Sequence, residues 1–406
     1  MEILMVWHDY PSIHSGGTLP ALNILKHLSK ENEITLLCFV QAAGESKQLE
    51  NLEQYCETIE TVDILMPRPF PYQLLGAIRN TLSPQNLLAR NRCFLTLCYS
   101  AEMLRKFKSL LSRNKFDLIY TSFGVAYLSR NARLPKVVHG YDCVTRGYYE
   151  RYKDTSRLMP KIFRWLAYLQ AKRTEAMICN KFDACIVVAE HEKSELRALF
   201  PTADVRVIPN GVDCEYFEPK NEDETSPSVA FVGSMSDLHN VEAVLYFYRH
   251  IYGYIKREIP GVGFYVIGHQ PAREIQLLTS DKTIIVTGYV DDIRPYLART
   301  SVVVVPMISG RGVKNKVLES MSMGKAVVTT SIGARGIDVT SDENIIVADE
   351  PMAFAQRVVE LFKNEEMRRE IGLNARKLVE AQYSWAKAAD NMYRLFREKV
   401  AKNASS

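Results

Sequence analysis

Apolar runs alternate with amphipathic stretches along the whole chain, and this alternation predicts strands separated by helices. The runs are nearly continuous in Val, Ile and Leu, which indicates strands buried on both faces of parallel sheets. In the first half we expect strands at 2–8, 33–40, 61–66, 116–122, 136–141, 183–189 and 205–209. Helices are expected there at 19–30, 99–113, 157–180 and 191–199.

The second half repeats this plan. Its predicted strands are 228–233, 263–268, 284–290, 301–306, 326–330 and 344–348. Its predicted helices are 240–257, 292–299, 314–323, 351–363 and 366–379. Residues 208–228 are rich in Pro, Asn, Asp, Glu and Ser, as is typical of a linker. We therefore expect two Rossmann-like α/β domains, 1–207 and 208–384, with a last helix at 385–403 that packs back on the first.

Composition removes several classes of protein. With 406 residues, 47% hydrophobic and 24% charged, the chain is neither disordered nor a disulfide scaffold, and its net charge of +4 disfavours a nucleic-acid binder. The eight cysteines are scattered without a C-x-x-C pair, which indicates buried thiols in a reducing compartment. The longest apolar run, 302–308, is far below the ~18 residues of a membrane span. We expect a cytoplasmic protein.

The near-neutral total hides a local imbalance. Segment 31–63 has eight acidic residues against one lysine, whereas 66–116 has nine basic residues against one glutamate. Segment 151–181 adds eight basic residues against two acidic ones. Because 66–116 is also apolar, it suits an anionic membrane surface or a lipid-pyrophosphate acceptor, on the inner face of the membrane. The alternative is a solvated face whose long side chains only cover apolar surface.

Three segments together resemble the retaining glycosyltransferases of the GT-B fold, the large family that includes sucrose synthases and bacterial mannosyltransferases. They are SGGT at 15–18, VIPNGVDCEYFEP at 207–219 and SGRGVKNKVLESMSMGKAVVTTSIGARGI at 309–337. FVGSM at 231–235 and VTGYVDDIRPYL at 286–297 are weaker matches in the expected order. Within the family, GVKNKVLESMSMGK is most similar to a bacterial branch associated with exopolysaccharide assembly.

The resemblance implies fold and chemistry together. It implies two Rossmann-like domains with parallel sheets that face a central cleft, the first binding the acceptor and the second the donor. The donor is a nucleotide-diphosphate sugar, and the acceptor is a glycan, a lipid-linked molecule or a small molecule. Neither a cofactor nor a metal is expected. The implied role is polysaccharide or glycoconjugate synthesis in bacteria.

Glu319 is the strongest single candidate for donor binding. A carboxylate early in the predicted helix 314–323 can accept two hydrogen bonds from the vicinal hydroxyls of a ribose. The alternative is an exposed ion pair with Lys316. A leaving diphosphate needs positive charge when no metal is present, so Arg311 and Lys316 are catalytic candidates. The other donor-binding candidates are glycines and backbone amides close to them in sequence: Gly233, Gly312, Val313 and Lys314.

The remaining candidates belong to the first half. Gly16 and Gly17 precede the first helix, where free amides favour a phosphate, although a tight turn without ligand is the alternative. The resemblance implies that His139, at a strand end, lies near the reacting sugar carbon; a structural hydrogen-bonding role is the alternative. Asp142 is a second candidate there, and His14 is a candidate for acceptor contact.

The sequence departs from the family pattern at two places. The usual spacing is Glu, seven residues, Glu, but Arg311 stands eight residues before Glu319. The Arg and Lys that usually follow the glycine of FVG are absent from GSMSDLHN. In that segment His239 and Asn240 are weaker donor contacts, with helix capping by Asn240 as the alternative.

Other functions stay open beside the transferase. A nucleotide-sugar epimerase of the same fold would convert the donor without an acceptor. A non-catalytic GT-B partner subunit is favoured by the two departures. A dinucleotide-dependent oxidoreductase is disfavoured, because neither half has G-x-G-x-x-G after a strand.

Overall fold

The computed structural model describes residues 1–12, 19–41, 51–64, 100–140, 143–220, 226–310 and 312–405. The chain forms two compact units, Met1–Ile208 with Ala389–Ser406, and Pro209–Ala388. The boundary between them follows residue 208, one position after the predicted one. The first unit is therefore discontinuous in sequence.

The first unit is built on a seven-stranded sheet in the order β3-β2-β1-β4-β5-β6-β7. Every pair of neighbouring strands is parallel. The strands are β1 Glu2–Trp7, β2 Glu33–Gln41, β3 Thr58–Ile64, β4 Leu118–Ser122, β5 Lys136–His139, β6 Ala184–Val187 and β7 Val205–Val207. The helices are α1 Leu19–Leu28, α2 Ala101–Arg113, α3 Val144–Lys153, α4 Leu158–Lys181 and α5 Glu190–Leu199.

The second unit has a six-stranded parallel sheet in the order β10-β9-β8-β11-β12-β13. Its strands are β8 Ser228–Val232, β9 Gly263–Ile267, β10 Ile284–Gly288, β11 Val302–Val305, β12 Ala326–Thr329 and β13 Ile346–Val347. Its helices are α6 Leu238–Phe247, α7 Gly253–Glu258, α8 Arg273–Gln276, α9 Arg294–Arg299, α10 Asn315–Ser322, α11 Ser331–Ala334, α12 Pro351–Lys363 and α13 Glu365–Gln382. Helix α14, Trp385–Ala404, begins in this unit and contributes its residues from Ala389 onward to the first.

The prediction of buried parallel strands is confirmed. Strands β4, β8 and β11 are buried at every position, as continuous apolar runs require. On one face of the first sheet, Leu4 and Val6 pack with Phe107 of α2. Burial of these side chains is the main stabilising contribution of each sheet.

Both sheets reverse their strand order at one point. In the first sheet the reversal lies between β1 and β4, and in the second between β8 and β11. At such a switch point the loops leave the carboxyl ends of adjacent strands in opposite directions and open a crevice, where ligands of α/β sheets bind. The topology therefore marks one candidate position in each unit.

Several elements differ from the sequence prediction. Strand β3 begins three residues earlier than expected, and the predicted helix 240–257 contains a π-helical segment, Tyr248–Tyr252, between α6 and α7. Helix α3 was not predicted, because Thr145 is its one buried residue and no apolar stripe marks it. A 3₁₀-helix, Phe123–Leu128, follows β4 directly.

The C-terminal helix supplies core side chains to the first unit. The rings of Tyr120 and Phe396 lie 5.1 Å apart, and the Tyr120 hydroxyl lies 3.7 Å from Met392 Sδ. Lys399 is 5% exposed and contacts Asp204 Oδ2 at 2.5 Å. In the part of the chain that the structure describes, no helix is long and apolar enough to cross a bilayer.

Candidate functional site

The switch point of the second sheet gathers several of the predicted residues. Gly233 directly follows β8, and α10 follows β11 through the loop 306–314. Because β8 and β11 are neighbours, side chains of α6 and α10 meet above their carboxyl ends. Lys316 of α10 donates from Nζ to Asn240 Oδ1 of α6 over 2.5 Å.

Gly233 leaves room for this contact. A Cβ atom at Gly233 would lie 2.7 Å from Lys316 Nζ and 2.8 Å from Asn240 Nδ2, closer than real Cβ contacts. Any larger residue would therefore displace the lysine or the asparagine. The sequence predicts a donor-binding role for Gly233, and the structure shows that a cationic side chain approaches it closely.

Lys316 is a half-buried cation. Its Nζ lies 4.1 Å from the centre of the Phe231 ring. Burial lowers the pKa of Lys316 to about 7, with a smaller lowering by Lys314 and an opposing effect of Glu319. Near neutral pH the amine is therefore partly deprotonated, and an anion that binds beside it favours the protonated, charged form.

Glu319 lies one turn further along α10 and is also half-buried. Burial raises the pKa of its carboxyl to about 7, against the opposing effect of Lys316. Within the described residues its carboxylate has no hydrogen-bond or ion-pair partner. Partly buried carboxylates are normally paired, so the unused acceptors of Glu319 indicate a ligand position.

The loop before α10 has an unusual backbone. Gly310 and Gly312 have positive φ angles of 100° and 73°, a region that favours glycine. Lys314 is the N-cap residue of α10 without a side-chain cap, and its Nζ donates to the Gly312 carbonyl over 3.0 Å. Val313 is half-buried and packs against the core of the unit. The first turn of α10 thus presents backbone amides between two lysines.

Two weaker candidates have structural roles here. The N-cap of α6 is Asp237, which accepts from the His239 amide, so the predicted capping by Asn240 is wrong. Asn240 instead donates from Nδ2 to the Ser234 carbonyl over 2.9 Å and accepts from Lys316. His239 Nδ1 lies 2.6 Å from Ser309 Oγ and so links α6 to the loop 306–314.

In the first unit, His139 is a core residue. It is 1% exposed, its Nδ1 lies 2.6 Å from the Tyr120 hydroxyl, and its ring centre lies 5.9 Å from that of Trp7. Burial lowers the pKa of His139 to about 3, so the imidazole is neutral at physiological pH. These are the contacts of a structural histidine, and its catalytic role stays a prediction.

The switch point of the first sheet carries His8, which the sequence analysis missed. His8 directly follows β1, and its Nδ1 lies 2.8 Å from Ser122 Oγ at the end of β4. Ser122 Oγ also accepts from the His8 amide over 3.1 Å. Burial lowers the pKa of His8, and Asp9 opposes this effect. The polar triplet HDY after the first apolar run was the available signal.

Two buried glutamates hold the start of α3. Glu175 accepts from the amides of Val144 and Thr145 over 2.6 Å and 2.9 Å, and Glu192 accepts from the Cys143 amide over 2.6 Å. Burial raises the pKa of Glu175, although these backbone hydrogen bonds partly offset it. The carboxylates occupy the anion position at this helix N-terminus, so it is not free for a phosphate.

Five of the predicted site residues lie outside the described part of the chain: His14, Gly16, Gly17, Asp142 and Arg311. Most of the basic segment 66–116 lies outside it as well, and their roles stay predictions. Among the described residues, no three His, Cys, Asp or Glu side chains are grouped so that they could hold a metal ion.

Comparison with known protein families gives two matches in series. Residues 21–216 match the model of Glycosyltransferase Family 4, and residues 226–364 match that of Glycosyl transferases group 1. The division between the matches falls near the boundary between the two structural units. The candidate residues on α10 lie within the group 1 match.

Similar proteins agree with these matches. An uncharacterized 44.6 kDa protein in the cps region of Klebsiella pneumoniae is 21% identical over 97% of this chain and 99% of its own length. The UDP-Gal:alpha-D-GlcNAc-diphosphoundecaprenol alpha-1,3-galactosyltransferase of Escherichia coli is 25% identical over 61% of this chain and 67% of its own.

A solved structure shows the same fold. HepE of Anabaena, in complex with UDP, superimposes with a TM-score of 0.68 at 16% identity, covering 98% of this chain and all of HepE. The two parallel sheets, the two matched domains and this similarity agree with one another. By domain composition and by fold, the chain belongs to the GT-B glycosyltransferases, with a family 4 domain followed by a group 1 domain.

Proposed function

We propose that the protein is a retaining, metal-independent glycosyltransferase that moves a sugar from a nucleotide-diphosphate sugar to a glycan, lipid-linked or small-molecule acceptor in bacterial polysaccharide or glycoconjugate synthesis. The observation that carries the proposal is the unpartnered, half-buried carboxylate of Glu319 beside Lys316 at the switch point of the second sheet. A nucleotide-diphosphate sugar offers a partner to each residue: vicinal ribose hydroxyls that can donate to Glu319 and a diphosphate anion that can pair with Lys316.

Glu319 would bind the ribose of the donor. An ionised carboxylate accepts one hydrogen bond at each oxygen, which matches two vicinal hydroxyls. Because the ionised form is the better acceptor, ribose binding lowers the raised pKa of Glu319 and releases a proton. The UDP in the HepE complex supports a nucleoside diphosphate as the ligand class.

Lys316 and the start of α10 would bind the diphosphate. The helix presents uncapped amides there, and an anion near a helix N-terminus is stabilised by the helix dipole. Arriving negative charge raises the lowered pKa of Lys316, so the lysine takes up a proton as the donor binds. Arg311, three residues before Lys314, would add a second cation.

The transfer itself would need little from protein carboxylates. The bond between the anomeric carbon and the diphosphate oxygen breaks while a bond to the acceptor oxygen forms on the same face. The leaving phosphate takes the proton of the acceptor hydroxyl, and Lys316 and Arg311 stabilise its charge. Arg311 in place of the usual first glutamate is compatible with this chemistry, because no protein base is required.

The relatives support the choice of acceptor class. The name of the Escherichia coli relative describes transfer of galactose to a diphosphoundecaprenol-linked sugar, and the Klebsiella pneumoniae relative is encoded in a cps region. A lipid-linked acceptor is held in a membrane, which would explain why the basic, apolar segment 66–116 suits an anionic membrane surface. Gly16, Gly17, His14 and Asp142 are the proposed donor and acceptor contacts of the first unit.

A thermal-shift screen of the whole chain tests the donor class. UDP-, GDP-, TDP- and CMP-sugars are compared, first without and then with added metal chelator. We expect one nucleotide to raise the melting temperature, the chelator to have no effect, and Glu319→Ala to abolish the shift. The matched control Glu370→Ala, an exposed glutamate on α13, keeps it.

Three results would contradict the proposal. No stabilisation by any donor would favour the non-catalytic partner subunit. Stabilisation followed by acceptor-independent conversion of the donor sugar, detected by NMR, would favour the epimerase. Anomeric NMR of the transferred sugar tests retention, which an inverted product would exclude.

A further inference from the structure

The first turns of α4 carry a continuous apolar surface that faces solvent. Its six large side chains are each between 44% and 74% exposed. They are Leu158, Met159, Ile162, Phe163, Trp165 and Leu166. The buried residues of α4 begin only at Ala167. The segment 158–166, here called the α4 tip, therefore contributes no buried side chain.

The arrangement of the α4 tip is the reverse of that in an ordinary surface helix. At about 100° per residue, the six apolar positions fall within roughly 160° of the helix circumference. Such a stripe normally faces the core, whereas this one faces solvent. Side chains exposed to this extent present on the order of 500 Å² of apolar surface, a patch size that usually marks an interaction site.

The sequence around this stripe is basic. Between 146 and 164 the sequence has six of them and two acidic residues, Glu150 and Asp154. The six are Arg146, Arg151, Lys153, Arg157, Lys161 and Arg164. Arg146 pairs with Glu150, but in the described chain the other five have no acidic partner.

Helix α3 holds the α4 tip in position. The rings of Tyr149 and Tyr168 lie 5.4 Å apart, and Arg164 donates to the Arg151 carbonyl over 2.9 Å. Lys161 lies 5.4 Å from the centre of the Tyr152 ring. These contacts use residues of α4 on the side of the helix away from the apolar stripe, so the stripe is left available.

We propose that the α3–α4 hairpin is a membrane-docking surface that inserts the α4 tip into an anionic bilayer. The stripe would enter the interface between headgroups and acyl chains, and the basic residues of 146–164 would attract the hairpin to anionic headgroups. This surface differs from segment 66–116 and does not depend on which sugar is transferred. The uncompensated positive charge favours lipid over a second copy of the chain, because two copies would repel each other at this surface.

Intrinsic fluorescence offers a direct measurement. The chain has three tryptophans, and Trp7 and Trp385 are 0% and 4% exposed, whereas Trp165 is 44% exposed. Insertion of the α4 tip would therefore shift the emission to shorter wavelength through Trp165. Vesicles of phosphatidylcholine with ~30% phosphatidylglycerol should give this shift, and raised salt should weaken it.

Co-sedimentation with the same vesicles compares two matched double variants of the full chain. Leu158→Glu with Leu166→Glu alters the α4 tip, and Leu277→Glu with Leu373→Glu alters leucines that are 63% and 61% exposed elsewhere. Both change the net charge equally. We expect the first to reduce vesicle binding on the order of tenfold and the second to leave it near wild type.

Circular dichroism and thermal melting should show that both variants fold. Equal binding by the two variants, or equal binding to vesicles of pure phosphatidylcholine, would overturn the proposal. It would equally be overturned by light scattering that shows a dimer dissociated only by the α4-tip variant, because the stripe would then be a homodimer interface. None of these results depends on donor binding.

Discussion

The switch points of the two sheets have the same topology but different polar groups. In the first unit the polar side chains at the strand ends contact one another: His8 contacts Ser122, and His139 contacts Tyr120. In the second unit Lys316 donates to Asn240, whereas the Glu319 carboxylate has no partner among the described residues, and both residues have pKa values shifted to about 7. The same topology therefore carries different chemistry in the two units, and the second switch point is the one at which we propose that a charged ligand binds.

The helix N-termini show the same contrast. The start of α3 in the first unit is occupied by two buried carboxylates, whereas the start of α10 in the second has no side-chain cap and is flanked by lysines. An anion would compete with Glu175 and Glu192 at the first and would be attracted at the second. The following predictions test this comparison.

Replacement of Glu319 by Gln should have the largest effect. Glutamine keeps one acceptor, so one charge-assisted hydrogen bond is lost and the other becomes a weaker, neutral one; together this amounts to about 3 kcal/mol, and donor affinity measured by calorimetry should fall about 100-fold. The unliganded protein should become more stable at pH 8 by on the order of 1 kcal/mol, because the raised pKa of Glu319 means that its ionised form destabilises the fold. That gain should decrease as the pH falls from about 7 and vanish below 4.5, the ordinary pKa of the carboxyl. Donor affinity that is unchanged by this substitution would remove the assigned role.

In the first unit, the buried His139 at the end of β5 should determine how stability changes in acid. The pKa of His139 is lowered from 6.5 to about 3, so its stabilising effect is full above pH 6.5 and is lost as the pH falls towards 3. Between pH 7.5 and 5 this amounts to about 2 kcal/mol, measured by urea unfolding. His139→Gln should flatten the pH dependence, and His250→Gln, at an exposed position, should not. Equal pH slopes in both variants would exclude this role for His139.

Glu175→Gln should weaken the start of α3. Both carboxylate oxygens accept from backbone amides, and an amide side chain has one acceptor only, so one buried N–H loses its partner. We expect a loss of about 1–2 kcal/mol in the free energy of unfolding. Glu190→Gln, at an exposed site on α5, is the control. A stability equal to that of the control would show that the carboxylate is not needed there.

Lys316→Arg should change the pH profile of donor binding with little effect at neutral pH. The wild type loses affinity above pH 7 as the lysine deprotonates, by at most about tenfold per pH unit, and below pH 7 as Glu319 protonates. Arginine stays charged, so the loss of donor affinity above pH 7 should vanish, while the loss below pH 7 remains. Titration calorimetry between pH 6 and 9 measures both. If the variant still loses donor affinity above pH 7, a group other than Lys316 is responsible for that loss.

The sequence was sufficient for the sheets because their signal is local. Runs such as VVVV in β11 are short and β-branched, which favours a buried strand over a helix, and both halves repeat that pattern. Helix α3 escaped prediction because it buries one residue and depends on carboxylates 30 and 49 positions away. Likewise, the contact between His8 and Ser122 spans 114 positions and is created by strand order alone.

Sequence could bring candidate residues together where they are close along the chain. Glu319 and Lys316 lie on one short helix, and the structure places this helix at the switch point of the second sheet. The capping role of Asn240 failed, because Asp237 lies closer to the start of α6 and is an equally good cap. Sequence could not give the shifted pKa values, since these arise from burial.

The path of helix α14 has a consequence for synthesis on the ribosome. Tyr120, on a central strand of the first unit, packs against Phe396 and Met392, which are translated only after the whole of the second unit. The second unit, encoded by one uninterrupted stretch, can fold while translation continues. The first must keep its core incomplete until residues 389–404 emerge, so the half of the chain that is made first is the half that finishes folding last.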